Sequence, residues 1–216
     1  MGIGFVILIH LFAIFILSVI IAVIGSIVVY FFSKKKKKRK ILLAFIAPFI
    51  GFYTLYICAI IGSGIVSEVK KVDIGIGDSW YVPLGNNHQL LFIDSLEQAF
   101  ITKENGETII SEILLIEKNG NQIFGETYNR KYFSYNTKTN ELKQFDDENN
   151  LVVLNSNNIP KLIKVGDFYT EKRTEIAGFW LMVVGVLSLI ISFGAVYLLK
   201  EIIYYFGFKS FRKSTN

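Results

Sequence analysis

The chain has 216 residues, 52% of them hydrophobic, with 23 Lys/Arg against 18 Asp/Glu. The hydrophobic share is high for a soluble domain and is concentrated in three uncharged runs, which excludes a wholly water-exposed globular fold. The net +5 does not argue for nucleic acid as a partner: residues 67–175 hold 12 Lys/Arg and 17 Asp/Glu, a net −5, so the basic excess lies in the flanks of the apolar runs.

The first run, Ile3–Phe32, is 30 residues without Asp, Glu, Lys or Arg. A bilayer core takes about 20 helical residues, so this run is expected to span with some tilt. A cleaved signal peptide opens with positive charge and has a shorter apolar core. Here the start is uncharged and the cations follow the run, so a retained span with its N-terminus outside is expected. Gly2 carries no myristoylation signal, because position 6 is Val. Ser18, Ala22 and Ser26 recur every four residues, a face that lets helices approach closely. His10 lies a turn or two from the outer end and is expected to reach the interface.

Seven consecutive cations follow: Lys34, Lys35, Lys36, Lys37, Lys38, Arg39 and Lys40. So dense a block in a short loop is expected to stay cytoplasmic. It is also expected to contact anionic lipid, at about 1 kcal/mol per cation near the surface. The second run, Ile41–Ile65, is 25 residues long and contains Pro48, which predicts a kink. Its Cys58 is the only cysteine, so no intramolecular disulfide forms. Ser63 between Gly62 and Gly64 lacks the Gly-x-Ser-x-Gly spacing of a nucleophile elbow and reads as tight packing.

Residues 67–175 read as short strands punctuated by turns. Strands are predicted at Ser79–Leu84, Gln89–Asp94, Gln98–Glu104, Gln122–Tyr128, Lys131–Asn136 and Glu141–Phe145. Asn105-Gly106 and Asn119-Gly120 give strong hairpin signals. Glu107–Lys118 suits either strand or helix by its Ile/Leu spacing, and the flanking Asn-Gly pairs favour strand. A short helix is expected within Asp146–Ser156, and a last strand over Lys161–Tyr169 after Pro160. The predicted fold class is an α+β membrane protein: three transmembrane helices with an extracytoplasmic antiparallel β-rich domain, meander- or sandwich-like.

The third run, Ile176–Leu199, is 24 residues and ends before a basic tail. Gly178, Gly185, Ser188, Ser192 and Ala195 fall on a heptad seam, expected to pack against another helix or a second copy of the chain. The organisation is therefore span one over 1–33, a polybasic turn over 34–40, span two over 41–66, the outer domain over 67–175, span three over 176–206 and a tail over 207–216.

Few residues carry chemistry. Gly75-Ile-Gly77 lacks the third glycine of a dinucleotide loop and the Gly-Lys-Ser/Thr of a P-loop, and reads as a turn. His88 is alone in the domain, too few ligands for zinc, and is expected to decorate a hairpin turn. Asp146-Asp147-Glu148 lacks the spaced ligands of a calcium loop. Trp80, Tyr81, Phe92 and Phe100 are expected in the core. No catalytic residue, metal site or cofactor is predicted.

The segment from Asp73 through Trp80-Tyr-Val-Pro-Leu-Gly-Asn86 to Ile93-Asp94, with Phe133-Ser-Tyr-Asn-Thr-Lys-Thr-Asn-Glu-Leu142, resembles uncharacterised bacterial three-span membrane proteins of the Bacteroidota type. The resemblance implies a bacterial inner membrane and no assigned activity. The expected function is that of a non-enzymatic, membrane-anchored interaction or sensor-like protein. The alternatives are an accessory subunit of a transporter or channel, or an immunity-type envelope protein. Expected partners are membrane lipids and either an envelope protein or a second copy of the chain.

Overall fold

Helices account for all three apolar runs. They are α1 (Ile3–Phe32), α2 (Lys37–Lys70) and, after a short α3 (Val165–Arg173) and a π-helical turn at Thr174–Gly178, α4 (Phe179–Lys213). All three runs are long and apolar enough to cross a membrane. The computed structural model describes residues 2–148, 151 and 160–213, which divide into two units. One is Val66–Phe179; the other joins Gly2–Ile65 to the chain from Trp180 onward.

In the helical unit α1 and α2 run antiparallel. Phe15 meets Phe49 with ring centroids 5.9 Å apart, and the Tyr53 hydroxyl donates to the Leu11 carbonyl at 3.1 Å. His10 faces Tyr56: its Nδ1 lies 3.0 Å from the Tyr56 hydroxyl. Helix α2 passes Pro48 without a break. It meets α4 where Ser192 Oγ donates to the Gly51 carbonyl at 2.7 Å. A Cβ on Gly62 would lie 2.6 Å from Val184 Cγ1, so Gly62 is required by close approach. The burial is the inverse of a water-soluble bundle. Ser18, Ala22, Ser188 and Ser192 are inside, whereas Phe12 and Phe193 are 64% and 67% exposed.

The other unit is a single meander, β1 (Ser79–Gly85), β2 (His88–Ile93), β3 (Ala99–Lys103), β4 (Thr108–Asn119), β5 (Gln122–Thr127), β6 (Tyr132–Asn136) and β7 (Glu141–Phe145), each antiparallel to the next. This is one curled sheet, not a two-sheet sandwich. Asn86 Nδ2, in the β1–β2 turn, donates to Asn121 Oδ1 at 3.2 Å and Thr137 Oγ1 at 2.9 Å, joining hairpin ends that are not sheet neighbours. The β4 ambiguity resolves as strand. Leu90, Phe92, Ile101, Ile113, Ile116, Phe133 and Tyr135 are fully buried, each contributing on the order of 1.5–3 kcal/mol.

The strand expected over Lys161–Tyr169 is a correction. Only β8 (Ile163–Lys164) pairs, with Leu115 and Ile116 of β4, and the chain then turns helical. Val165, Phe168 and Tyr169 are buried at helical spacing, with Asp167 in the first turn and Lys172 and Arg173 in the last, where each suits the helix dipole. Tyr169 packs edge-on to Phe92, centroids 5.5 Å apart. Of the helix expected within 146–156, residues 149–150 and 152–156 lie outside the described residues, as do the side chains of the 207–216 tail.

β4 contains a bulge at Glu112, whose φ of +58° is left-handed, with register shifts on either side. Its carbonyl accepts from the Tyr128 N–H at 2.8 Å and its carboxylate from Asn129 at 3.2 Å. A side chain in this conformation costs about 1–2 kcal/mol. Glu112→Gly is therefore expected to be about 1 kcal/mol more stable than Glu112→Ala, the reverse of the ordinary strand order. Denaturant midpoints of the two variants check this.

Candidate functional site

The basic block sits at a helix start. The sequence reading places all seven cations in a turn; the structure puts Lys37, Lys38, Arg39 and Lys40 in the first turn of α2, after Lys36 at φ +52°. Cations there oppose the helix dipole, at about 0.3–1 kcal/mol each when exposed. No carboxylate precedes Glu68 in the sequence. Aromatic rings supply part of the offset. The Lys37 ammonium lies 3.5 Å from the Tyr30 ring centroid and that of Lys36 lies 5.3 Å from Tyr204. Arg39 donates to the Tyr204 carbonyl at 3.4 Å. Lys34, Lys35, Lys36, Lys38 and Lys40 are exposed.

The heptad seam divides. Ser188 and Ser192 are buried and Ala195 is half-buried. Gly185 is exposed with open space around it, and Gly178 lies in the π-helical turn, 3.3 Å from Thr174 Cγ2 as measured from its would-be Cβ.

In the sheet unit, α2 ends as a Schellman motif. Lys71 is left-handed at φ +55°, and the Val72 N–H reaches back to the Ser67 carbonyl. That turn delivers Asp73 into the interior, where it is 4% exposed. Asp73 Oδ1 accepts from the Tyr169 hydroxyl at 2.7 Å and faces Arg173 Nε at 3.5 Å; Oδ2 accepts from the Gly75 N–H at 2.7 Å. Gly75 and Gly77 both have positive φ, and a Cβ on Gly75 would lie 2.6 Å from Arg173 Nη2. The Gly-Ile-Gly stretch is thus an Asx-type turn under an arginine. The carboxylate's lone pairs are engaged by donors, so this cluster is a clasp and offers no free base.

His88 is a second correction. It is not on the turn surface but 4% exposed at the start of β2. Its Nδ1 lies 2.8 Å from the Asn86 carbonyl, which only accepts, so Nδ1 carries a proton and Nε2 faces the Tyr135 hydroxyl at 2.6 Å. Tyr135 also reaches Asn140 Oδ1 at 3.1 Å. Burial pushes the Tyr135 hydroxyl above the usual tyrosine range. Of the four aromatics expected inside, Phe92 is buried; Trp80, Tyr81 and Phe100 are half-buried.

The sequence reading missed a groove of about 590 Å³ within the sheet unit. Leu114 and Leu115, just past the bulge, and Val165 form its floor, and Leu96 and Tyr128 its walls; Glu97, Glu126, Lys164 and Asp167 supply its charges. These residues come from four separate stretches of chain, and no local motif marks them. Among the described residues no group of three His, Cys, Asp or Glu side chains stands close enough to hold a metal.

Comparison with protein-family models, curated proteins and solved structures finds no match to this chain. Fold and site define a class: an α+β chain with three helices long and apolar enough to cross a membrane and one antiparallel sheet domain.

Proposed function

We propose that this chain is a non-enzymatic, membrane-anchored interaction or sensor-like protein. It sits as a multi-pass protein in the cytoplasmic membrane of a bacterium and presents residues 67–175 outside the cytoplasm. Lys34–Lys40 contact anionic lipid on the inner face, which offsets the cost of placing cations at the start of α2. The observation that carries the reading is the pairing of inside-out helices with an acidic sheet unit that contains an apolar groove. The helices bury hydroxyl and small side chains and turn phenylalanines outward, as lipid-facing helices do. An unbroken α2 and the helical run from Val165 give a stimulus at the sheet two continuous routes towards the spans.

Photo-crosslinking in growing cells tests this reading, with the reactive residue placed at Tyr128, Lys138 or Leu142. Discrete adducts from one of these positions are expected. In a Cys58→Ser background, Lys138→Cys is expected to label with a membrane-impermeant maleimide from outside, and Lys35→Cys is not. Adducts from none of the positions, or the reverse labelling pattern, would overturn the reading.

A further inference from the structure

We infer that the groove between β4 and the start of α3 receives a cationic amphipathic peptide segment in extended form. The inference rests on the interaction reading above and names the site and the partner's chemistry.

Three features converge on that occupant. The floor is apolar: Leu114, Leu115 and Val165, with Leu96 39% and Tyr128 61% exposed at the sides. An exposed apolar trough of this kind takes a bulky side chain. The rim is acidic, with Glu97, Glu126 and Asp167 against the single Lys164, in a domain of net −5. That balance favours cations and disfavours an acidic or purely aliphatic ligand. The third feature is the start of α3: Val165, Gly166 and Asp167 of its first turn line the groove, and Lys164, the residue before it, has no acceptor with which to cap the first N–H groups. Peptide carbonyls satisfy such donors, whereas an alkyl chain does not. An extended peptide with alternating basic and apolar residues meets all three demands, because alternate side chains point to opposite faces.

The Glu112 bulge supports the assignment. It sits beside Ile113 and Leu114, and its carbonyl holds the Tyr128 N–H, so a strained residue fixes both the floor and one wall.

The test uses the full chain in nanodiscs of zwitterionic phosphatidylcholine, so that lipid charge does not recruit the probe. The probe is a fluorescent peptide of alternating Lys and Leu, with Lys–Ser and Glu–Leu peptides for comparison, followed by anisotropy. Saturable binding of the Lys–Leu peptide alone is expected. The combined Glu97→Gln, Glu126→Gln, Asp167→Asn variant should weaken it by about tenfold, with weakening also as salt rises. Leu114→Ser should weaken it at unchanged salt dependence. Lack of saturable binding, equal binding of all three peptides, or unchanged binding by the rim variant would overturn the inference. If the cellular crosslinks above still form, the interaction reading stands and only the groove assignment falls.

Discussion

Asp73→Asn is expected to destabilise the sheet unit by about 3 kcal/mol, the low end of the range for breaking a buried ion pair. The substitution keeps the shape of the side chain and removes its charge. Arg173 then faces a neutral amide from a site where its own side chain is 24% exposed. That partial exposure places the loss at the low end, because water recovers some of the guanidinium's solvation. One of the two oxygens also becomes an NH₂, which has no use for the donors at Tyr169 or Gly75. Tyr169→Phe removes one hydrogen bond to a charged group and is expected to cost about 1.5–3 kcal/mol. The measurement is urea unfolding of the full chain in detergent, in a Trp180→Phe background so that Trp80 reports. A lower midpoint at unchanged slope is the expected form. A shift under about 0.5 kcal/mol would mean that the pair behaves as a solvated surface bridge.

This clasp also shows what one-dimensional reading can reach. Asp73, Gly75 and Gly77 were legible as a turn, because glycine and Asp carry local backbone information. Their partners were not, since Tyr169 and Arg173 lie about a hundred residues on and complementary chemistry has no period to read. The same division holds elsewhere. Apolar length located all three helices, and Asn-Gly pairs located two of the hairpins, since both signals are local. His88 was misplaced because its fate depends on Tyr135, four strands away in the meander. Lys161–Tyr169 was misread because Ile163 and Val165 alternate like a strand, while Val165, Phe168 and Tyr169 keep the helical spacing that tertiary burial selects. The groove was invisible for a related reason. Its floor depends on a bulge at a glutamate, and no residue preference announces a left-handed Glu.

Gly125 and Phe133 are expected to behave as a coupled pair. They sit opposite each other on β5 and β6, and Phe133 is fully buried with its ring over the glycine. A Cβ at position 125 would run into that ring and lie 2.7 Å from the Leu115 carbonyl. The backbone oxygen has little freedom to withdraw inside a three-strand ladder, so the ring must move. Gly125→Ala is therefore expected to cost about 1–3 kcal/mol through overpacking, although alanine is the smallest possible side-chain addition. Phe133→Ala removes a core aromatic and is expected to cost about 3–5 kcal/mol through the cavity it leaves. In the double variant the new methyl no longer meets the ring and fills a small part of that cavity. The combined loss should then fall short of the sum by at least about 1 kcal/mol, as neighbours sharing one space do. Denaturant unfolding of the four proteins closes the cycle. Additive losses would show that the glycine serves the strand's backbone alone; a shortfall identifies it as the seat of the aromatic ring, and ties its place in the sequence to the packing of the curled sheet.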